Sequence, residues 1–445
     1  MRFCRGILTV YIVAAGVGTL QAESLLWQYG TKNTIAPSAQ SSSGSQSSVI
    51  PLEESQPLEE TQESSDIKLT GTDPRPTGSK ITLQLSSLLN SQWGMLTKPG
   101  LNLKNAWNAL IKKKFIKSKK SFACSNSPIT VAIVDTGVDF THQNLKNVAW
   151  VNTKELNGKK GVDDDKNGFI DDVNGWDFTT NSPIIIDGHG HGTHLAGIIS
   201  GQSQEPNGFK GVCPGIRIMS VRYFASDLTG IKNLENTVKA IRYATQNGAN
   251  IINYSGGGAS FAQNEFDALK EATEKGVLIV AAAGNERSDV VKKPYFPASY
   301  DLANIISVAG IGPEGKLIPA SNWGKSVDVA APGGGILSLQ QNQSYGFMNG
   351  TSQATAFVSG LAGLLWTMKP KLKAADIKAL IEKSVAKSSD LKGKVASGGH
   401  VDAELAVKML ATYKAKRNSR SKFNKTSTAR ILSGLKGKPR SSFEN

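Results

Sequence analysis

Short apolar runs alternate along the sequence with longer amphipathic stretches, and this alternation constrains the fold more than any other feature. The runs are continuous and rich in β-branched residues, which is typical of strands that are buried on both faces. Because strands that alternate with helices usually pair in parallel, we expect an α/β fold with a mostly parallel, twisted sheet and helices on both faces. Functional side chains are then expected at the carboxyl ends of the strands. The apolar runs are Ile129–Val134, Ile216–Val221, Ile251–Tyr254, Val277–Ala283, Ile305–Ala309 and Val327–Ala330, and the helical stretches are Gly230–Asn247, Ala262–Lys275, Ser352–Met368 and Ala374–Val385.

The N-terminal residues 1–22 are predicted to be a signal peptide. Arg2 and Arg5 precede the uncharged stretch Gly6–Leu20, and Ala22 offers a small residue at the cleavage point. The uncharged stretch is shorter than the roughly 20 residues that a membrane span needs, and a short membrane anchor is the alternative. A cleaved signal predicts a secreted or periplasmic protein.

Two segments of biased composition flank the region that is expected to fold. Residues 23–80 are rich in Ser, Gln, Glu, Thr and Pro, so they cannot bury enough apolar surface and are predicted to be a disordered linker or pro-segment. Residues 81–413 carry the strand and helix patterns and are predicted to form one domain. Residues 414–445 form a polar, basic tail without periodicity.

The formal net charge of +15 is concentrated in two places, the lysine run within residues 112–120 and the tail from Lys414 onward. Such a charge describes surface patches and not the fold. The tail is interpreted as a solvated segment, a segment removed on maturation, or an anchor to an anionic surface such as lipid headgroups or nucleic acid. We expect no specific recognition of nucleic acid, and we expect a monomer.

Three cysteines are present, and Cys4 belongs to the predicted signal peptide. Cys124 and Cys213 remain. They are expected either to form one disulfide in an oxidising compartment or to be two free, buried thiols.

Asp135-Thr136-Gly137 follows the first apolar run and places a carboxylate at the end of a strand. Many tripeptides of this kind are only turns. An aspartic protease would need a second such loop, and the sequence has none.

Three of the five histidines, His189, His191 and His194, stand together before an apolar helix. One interpretation makes His191 a general base, with His194 packing one turn further along. The alternative is a zinc site of a hydrolase, which would need further histidine ligands, and only His400 follows downstream.

Ser352 begins a helix among small residues, so a substrate carbonyl can approach its hydroxyl, and free backbone N–H groups point at the same spot. The alternative is that Thr351 or Ser352 only caps the helix. Asn285 follows a buried strand and could donate its amide to an oxyanion, or could be an ordinary turn residue.

Aspartate, histidine and serine in this chain order, each with its local sequence, resemble the subtilisin-like serine proteases, the subtilase family. The matching stretches are VAIVDTGVD, HGTHLAGI and GTSQATAFVSG, with AAAGN supplying the oxyanion asparagine, and the resemblance covers roughly residues 90–410. It implies a three-layer subtilisin-like fold and a catalytic triad of Asp135, His191 and Ser352, assisted by Asn285. It also implies a secreted, broadly specific serine endopeptidase, made as a zymogen, that cleaves proteins or peptides through an acyl-enzyme.

In the family, a substrate peptide adds as a strand between two edge segments, which here correspond to Asp227–Gly230 and Ser255–Gly257. Because Gly256 stands where relatives often have a larger apolar residue, a wide and permissive primary pocket is expected. The expected contact residues are Leu228, Gly230, Ser255, Gly256 and Gly257.

The chain departs from the family pattern directly after the serine. Relatives commonly have Met at the next position and Pro-His four and five residues after the serine, whereas this chain has Gln353, Ala356 and Phe357. Since glutamine cannot form a sulfoxide, we expect activity that tolerates peroxide.

An acidic stretch between residues 163 and 172 predicts a structural calcium site, because its oxygen ligands alternate before a glycine turn. Asn174 at position twelve excludes an EF-hand, and a solvated acidic loop is the alternative. Asn144 replaces an aspartate that relatives use for another calcium ion, which leaves that second site in doubt. The expected ligands are Asp163, Asp165, Asn167, the carbonyl of Phe169, and Asp171.

A catalytically inert peptide-binding protein on the same fold is the main alternative from another functional class, and the zinc hydrolase is the second.

Overall fold

The structure is a computed structural model that describes residues 92–96, 98–116, 124, 126–203 and 208–415. The predicted signal peptide, the predicted linker or pro-segment, the end of the lysine run and most of the basic tail lie outside the described residues.

A nine-stranded sheet forms the centre of the fold, and a separate two-stranded hairpin accompanies it. The strands are β1 (Thr130–Asp135), β2 (Gly175–Asp177), β3 (Arg217–Arg222), β4 (Ile251–Tyr254), β5 (Leu278–Ala282), β6 (Ile305–Ile311), β7 (Val329–Pro332), β8 (Ile336–Gln340), β9 (Ser344–Met348), β10 (Val385–Lys387) and β11 (Gly399–Val401). The order in the sheet is β10-β11-β7-β6-β5-β4-β1-β3-β2, and β8 and β9 form the hairpin. Every neighbouring pair in the sheet is parallel except β10 and β11.

Helices cover both faces of the sheet. They are α1 (Trp93–Leu96), α2 (Leu103–Lys112), α3 (Thr153–Leu156), α4 (His191–Ser200), α5 (Gly230–Gln246), α6 (Gln263–Glu274), α7 (Thr351–Met368), α8 (Ala374–Lys383) and α9 (Ala403–Thr412). Alternate residues of β1 enter different cores, because successive side chains of a strand point to opposite faces. Val131 and Ile133 pack with α4 and α7, whereas Ala132 and Val134 pack with α5 and α6. The fold therefore has three layers.

Local capping explains where two of these helices begin. Thr229 is extended, and its Oγ1 accepts a hydrogen bond from Lys232 N at 3.2 Å, so α5 starts at the following residue. Asp402 Oδ1 accepts from Leu405 N at 3.0 Å and starts α9 in the same way. A side-chain acceptor at this position satisfies one of the N–H groups that a helix leaves unpaired at its start.

Cys124 and Cys213 form a disulfide, and both are buried in the core on the α7 side of the sheet. Of the two alternatives expected for these cysteines, the structure therefore shows the disulfide and not two free thiols. The bond ties the chain just before β1 to the loop that leads into β3.

All six apolar runs form strands and all four helical stretches form helices, so the predicted α/β fold is confirmed. The sequence does not predict β2, β10 and β11, which have three residues each, or the β8–β9 hairpin. No helix within the described ranges combines the length and the apolar character needed to cross a membrane.

Candidate active site

The candidate site lies where β1 and β4 end side by side. These parallel strands pair up to Val134 and Tyr254, so the residues that follow, Asp135 and Ser255, emerge at the same edge of the sheet. Helix α4 begins at this edge with His191, and helix α7 also begins here. Side chains from distant parts of the chain therefore converge at the carboxyl ends of the strands, as expected for a parallel sheet.

Asp135 and His191 form a buried hydrogen-bonded pair. His191 Nδ1 lies 2.7 Å from Asp135 Oδ1. His191 is 5% exposed and Asp135 is 1% exposed. Burial lowers the pKa of His191, but the charge and hydrogen bond of Asp135, together with the charge of Asp187, outweigh it and raise the pKa above its usual value. With a proton on Nδ1 facing the carboxylate, Nε2 of the neutral ring is the atom that can accept a proton.

Asp187 holds the loop that carries His191, a role that the sequence does not predict. Its Oδ1 accepts from Thr136 Oγ1 at 2.9 Å and from the backbone N–H groups of His189 and Gly190. Its Oδ2 accepts from the N–H and the hydroxyl of Thr193 at 2.9 and 2.6 Å. One buried carboxylate therefore fixes both ends of the turn around the imidazole.

Two glycines let the start of α4 approach β1. A Cβ atom on Gly192 would lie 2.0 Å from the carbonyl oxygen of Gly137, so no other residue fits there without a shift of the backbone. Gly137 itself has a φ of +108°, a conformation that favours glycine. These contacts place His191 directly over the end of β1.

Ser352 is the second residue of α7 and is 8% exposed. Its Oγ donates to the carbonyl oxygen of Ser255 at 3.1 Å, and Ser255 Oγ donates back to the carbonyl oxygen of Ser352 at 3.2 Å. This reciprocal pair joins the start of α7 to the end of β4. Neither Thr351 nor Ser352 caps the helix with its side chain, because the N-cap position is Gly350.

Asn285 follows β5 and is held against the start of α7. Its Oδ1 accepts from Thr351 N at 3.0 Å and from Thr351 Oγ1 at 3.2 Å. Because the oxygen of the amide faces the helix, its Nδ2 group is the side that remains to donate. The structure thus brings Asp135, His191, Ser352 and Asn285 to one edge of the sheet.

The His189 ring lies 6.3 Å from that of His191, but the one group of three potential metal ligands found among the described residues contains no histidine. Burial is the main cause that lowers the pKa of His194, to about 3, so its ring is neutral. Its Nε2 lies 3.1 Å from the carbonyl oxygen of Ile336, so this nitrogen carries the hydrogen and cannot bind a metal. His400 lies on β11, and four strands separate β11 from β1.

The two segments expected to flank a substrate differ in conformation. Ser255–Gly257 is buried and continues directly from β4. In the other segment, Leu228 lies in a turn and Gly230 is already the first residue of α5, because Thr229 caps that helix. The expected strand-like edge is therefore limited here to the single extended residue Thr229.

The structure explains why residue 256 is a glycine, and the explanation does not involve a wide substrate pocket. A Cβ atom at this position would lie 2.1 Å from the hydroxyl oxygen of Tyr223 and 3.0 Å from Cε2 of Tyr254. The space that a side chain would occupy is therefore filled by two tyrosines. The glycine is no argument for an open pocket.

Carboxylates of the acidic stretch converge with a residue that the sequence analysis missed. Glu155, Asp163 and Asp165 each offer an oxygen within 4.8 Å of the others. Glu155 is buried at α3, and its Oε1 accepts from the N–H groups of Asp164 and Asp165, so it organises the loop. Hard oxygen donors at this separation suit Ca²⁺, which binds oxygens at about 2.3–2.6 Å.

Asn167 and Asp171 are expected ligands that lie outside this group of three. Their side chains accept hydrogen bonds within the loop, as the grouped carboxylates also do. Asn167 Oδ1 accepts from Phe169 N at 2.8 Å, and Asp171 Oδ2 accepts from Gly161 N at 2.9 Å. At the position of the second calcium site that was in doubt, the side chain of Asn144 donates to the hydroxyl of Tyr345 at 2.9 Å.

An α/β sheet with an aspartate–histidine pair and a helix-start serine at its carboxyl edge defines the class of subtilisin-like hydrolases, and comparison with known proteins agrees. The sequence profile of the subtilase family matches residues 126–420. Thermitase of Thermoactinomyces vulgaris is 35% identical over 277 residues, which cover 62% of this chain and 88% of thermitase. The chain belongs to the subtilase family.

Two further relatives extend the comparison. Subtilisin-like protease 1 of Plasmodium berghei is 32% identical over 301 residues, which cover 62% of this chain and 49% of that protein. The crystal structure of a cold-adapted subtilisin-like serine proteinase has a TM-score of 0.50 and 25% identity, and the match covers 61% of this chain and 89% of that one. The chain spans about half the length of several curated relatives that it matches, including the Plasmodium protein.

Proposed function

We propose that this protein is a serine endopeptidase in which Ser352, His191 and Asp135 hydrolyse peptide bonds. The observation that carries the proposal is the buried 2.7 Å contact between His191 Nδ1 and Asp135 Oδ1, at the sheet edge where α7 presents Ser352. Membership of the subtilase family supports the same function.

In the proposed reaction, Ser352 Oγ attacks the carbonyl carbon of the substrate while His191 Nε2 takes its proton. The Ser352 hydroxyl must first turn away from the carbonyl oxygen of Ser255, to which it donates in this structure. The Asn285 amide and the backbone N–H of Ser352 stabilise the oxyanion that forms. The imidazolium then protonates the leaving amine, which leaves an acyl-enzyme. His191 Nε2 next takes a proton from water as the water attacks the acyl carbon, and it returns this proton to Ser352 Oγ as the acid product leaves.

We also propose that Glu155, Asp163 and Asp165 hold a structural calcium ion, with further oxygens from the same loop. Three carboxylate oxygens within 4.8 Å of one another support this assignment, because like charges at such a separation repel unless a cation neutralises them. When bound, the ion supplies positive charge that ties α3 to the acidic loop.

Secretion and a broad choice of protein or peptide substrates complete the proposal. Secretion is supported by the composition of residues 1–22 and by the disulfide, which suits an oxidising compartment. Maturation from a zymogen is supported by the composition of residues 23–80.

Hydrolysis of a denatured protein tests the proposed activity against an inert peptide-binding role. The wild-type protein is expected to produce new amino termini, and Ser352→Ala to lose about 10⁶-fold in turnover. The matched control is Ser260→Ala, since Ser260 is exposed and lies outside the site. Binding without cleavage in the wild-type protein would support the inert alternative.

A further inference from the structure

A buried carboxyl group that the proposed reaction does not use lies beside the end of β4. Glu265 is the third residue of α6 and is 4% exposed. Its Oε1 lies 2.8 Å from the hydroxyl of Tyr254, and its Oε2 lies 2.8 Å from the hydroxyl of Tyr300. Because an acid is costly to bury unless its oxygens have hydrogen-bond partners, these two tyrosines are what allows a glutamate at this position.

The surroundings of Glu265 favour the neutral form of its carboxyl group. None of the ion pairs among the described residues includes Glu265. The titratable groups that face it are two hydroxyls, that of Tyr254 from β4 and that of Tyr300 from the loop before β6. Burial is the main cause that raises the pKa of Glu265 above its usual value, and the hydrogen bonds from the tyrosines offset it only in part. No charged side chain of a neighbouring element adds to or opposes this shift.

The hydrogen bonds around Tyr300 also suit a neutral acid. The Tyr300 hydroxyl has a single hydrogen, and it lies close to two acceptors, Glu265 Oε2 at 2.8 Å and the carbonyl oxygen of Ala262 at 3.1 Å. If the carboxyl group carries a proton, it can donate to Tyr300 Oη, and the tyrosine can then donate to Ala262. Every polar group in the cluster is satisfied in this arrangement.

Tyr254 connects Glu265 to the proposed site, because it is the last residue of β4. The next residue, Ser255, exchanges two hydrogen bonds with Ser352. The ring of Tyr254 also packs against the backbone that follows, since a Cβ atom on Gly256 would lie 3.0 Å from Tyr254 Cε2. The end of β4 is therefore held from two sides, by α7 through Ser255 and by α6 through the contact between Tyr254 and Glu265.

We propose that Glu265 is a positioning residue, which acts through Tyr254 to fix the path of Ser255–Gly257. This segment is expected to lie along a bound substrate, so the inference rests on the proposed function. Ser352 keeps a support of its own, because Asn285 accepts from the N–H group at the start of α7. Loss of the Glu265 contact therefore weakens the binding of an extended peptide more than it weakens the reactivity of Ser352.

Two substitutions separate the hydrogen bonds of Glu265 from its volume. Glu265→Gln keeps an oxygen that accepts from Tyr254 and gains an NH₂ group that donates to Tyr300, so it matches the neutral acid. Glu265→Leu fills a similar volume but makes neither bond. With a tetrapeptide p-nitroanilide as substrate, the leucine variant is expected to raise KM by about tenfold and to change kcat less. The glutamine variant is expected to stay within about twofold of the wild-type protein.

Tyr254→Phe and Tyr300→Phe form a matched pair, because each removes one hydroxyl group from the same carboxyl group. Only Tyr254 leads directly into Ser255–Gly257. Tyr254→Phe is therefore expected to raise KM by about threefold to tenfold, and Tyr300→Phe by less than about twofold, although both lower the thermal midpoint. A role in stability alone would give the two variants the same KM.

The pH dependence of stability tests the neutral form of Glu265. In the unfolded chain this carboxyl group ionises above its usual pKa of 4.5, whereas the buried group keeps its proton to a higher pH. The wild-type protein must then take up a proton on folding, and it loses stability as the pH rises above 4.5 until the pH passes the raised pKa. Glutamine has no such cost. The thermal midpoint of Glu265→Gln relative to the wild-type protein should therefore be higher at pH 7 than at pH 5, and the same difference at both values would contradict a neutral acid.

The inference is overturned if Glu265→Leu folds with an unchanged KM, if glutamine raises KM as much as leucine does, or if the two tyrosine variants have the same KM. If Glu265→Leu does not fold, the tyrosine pair decides. Labelling of Ser352 by a fluorophosphonate separates this inference from the proposed function. Variants that label at the wild-type rate but bind the peptide weakly support the positioning role, and variants whose labelling slows as much as kcat/KM falls contradict it. A wild-type protein that neither labels nor cleaves contradicts the proposed function itself.

Discussion

His191 Nδ1 faces Asp135 Oδ1 at 2.7 Å, and the protein shields both side chains from water. A carboxylate in this position fixes the orientation of the imidazole and stabilises its protonated form. The two residues come from positions that are 56 apart in the chain. The parallel sheet brings them together, because Asp135 ends β1 and α4 begins above it.

The raised pKa of His191 predicts the pH dependence of activity. Burial lowers this pKa, but Asp135 and Asp187 more than compensate. Since the proposed mechanism uses the neutral imidazole as the base, kcat/KM should fall as the pH drops through a value above the usual 6.5. Asp135→Asn removes the main raising contributions, so the midpoint should move to lower pH and activity should fall about 10⁴-fold. A pH–rate profile of both proteins checks this, and an unchanged midpoint in Asp135→Asn would contradict it.

Asp187→Asn should disturb the position of His191. Both carboxylate oxygens of Asp187 accept hydrogen bonds, Oδ1 from Thr136 and Oδ2 from Thr193. In the asparagine variant, the NH₂ group would replace one of these oxygens and would face a hydrogen-bond donor. We expect a loss of about 1–3 kcal/mol in the free energy of unfolding and a lower kcat with a smaller change in KM. Denaturant unfolding and steady-state kinetics measure the two effects. The exposed Asp301 provides the control Asp301→Asn, and equal behaviour of the two variants would exclude a positioning role.

The strands and helices that could be predicted are those with a strong local pattern. The run Ile129–Val134 is apolar except for Thr130, and the structure buries every residue of it. By contrast, β2 is Gly175–Asp177, and three residues are too few to show a period. The β8–β9 hairpin was not predicted either, and its strands include polar residues such as Gln340 and Ser344.

The site residues that could be proposed from the sequence carry recognisable motifs, and those that could not depend on distant contacts. Asp187 stands four residues before His191, but its role depends partly on Thr136, which is 51 positions away. Glu155 precedes the acidic stretch and does not share its alternating spacing. The only signal for Asp187 and Glu155 in the sequence is a charged side chain near a motif.

Calcium should stabilise the protein through Glu155. A ligand at about 100 times its Kd contributes about 2.7 kcal/mol to the folded state, so EGTA should lower the thermal midpoint by several degrees. Glu155→Gln should remove more of this response than Asp171→Asn, because Glu155 belongs to the group of three converging carboxylates and Asp171 does not. Differential scanning calorimetry with and without calcium measures the response, and the exposed Glu314 supplies the control Glu314→Gln. A midpoint that EGTA does not move would refute the calcium assignment.

Gln353 should make the activity tolerant of peroxide. It follows Ser352 and is buried, and Gln353→Met would put an oxidisable sulfur beside the nucleophile. We expect the wild-type protein to keep most of its activity in dilute peroxide and the variant to lose activity severalfold. Met348 needs a control, because its sulfur lies 3.8 Å from Gln353 Nε2. If peroxide inactivates the wild-type protein but not Met348→Leu, then oxidation of Met348 causes the loss of activity and the predicted tolerance is wrong.

The most direct test of the account is the mass of the protein after reaction with a fluorophosphonate. One adduct per molecule is expected, located by peptide mapping on Ser352. Labelling should slow as the pH falls through the pKa of His191, and Ser352→Ala should take up no label. An adduct on another residue, or a folded protein that takes up no label at any pH, would contradict the claim that Asp135, His191 and Ser352 act together.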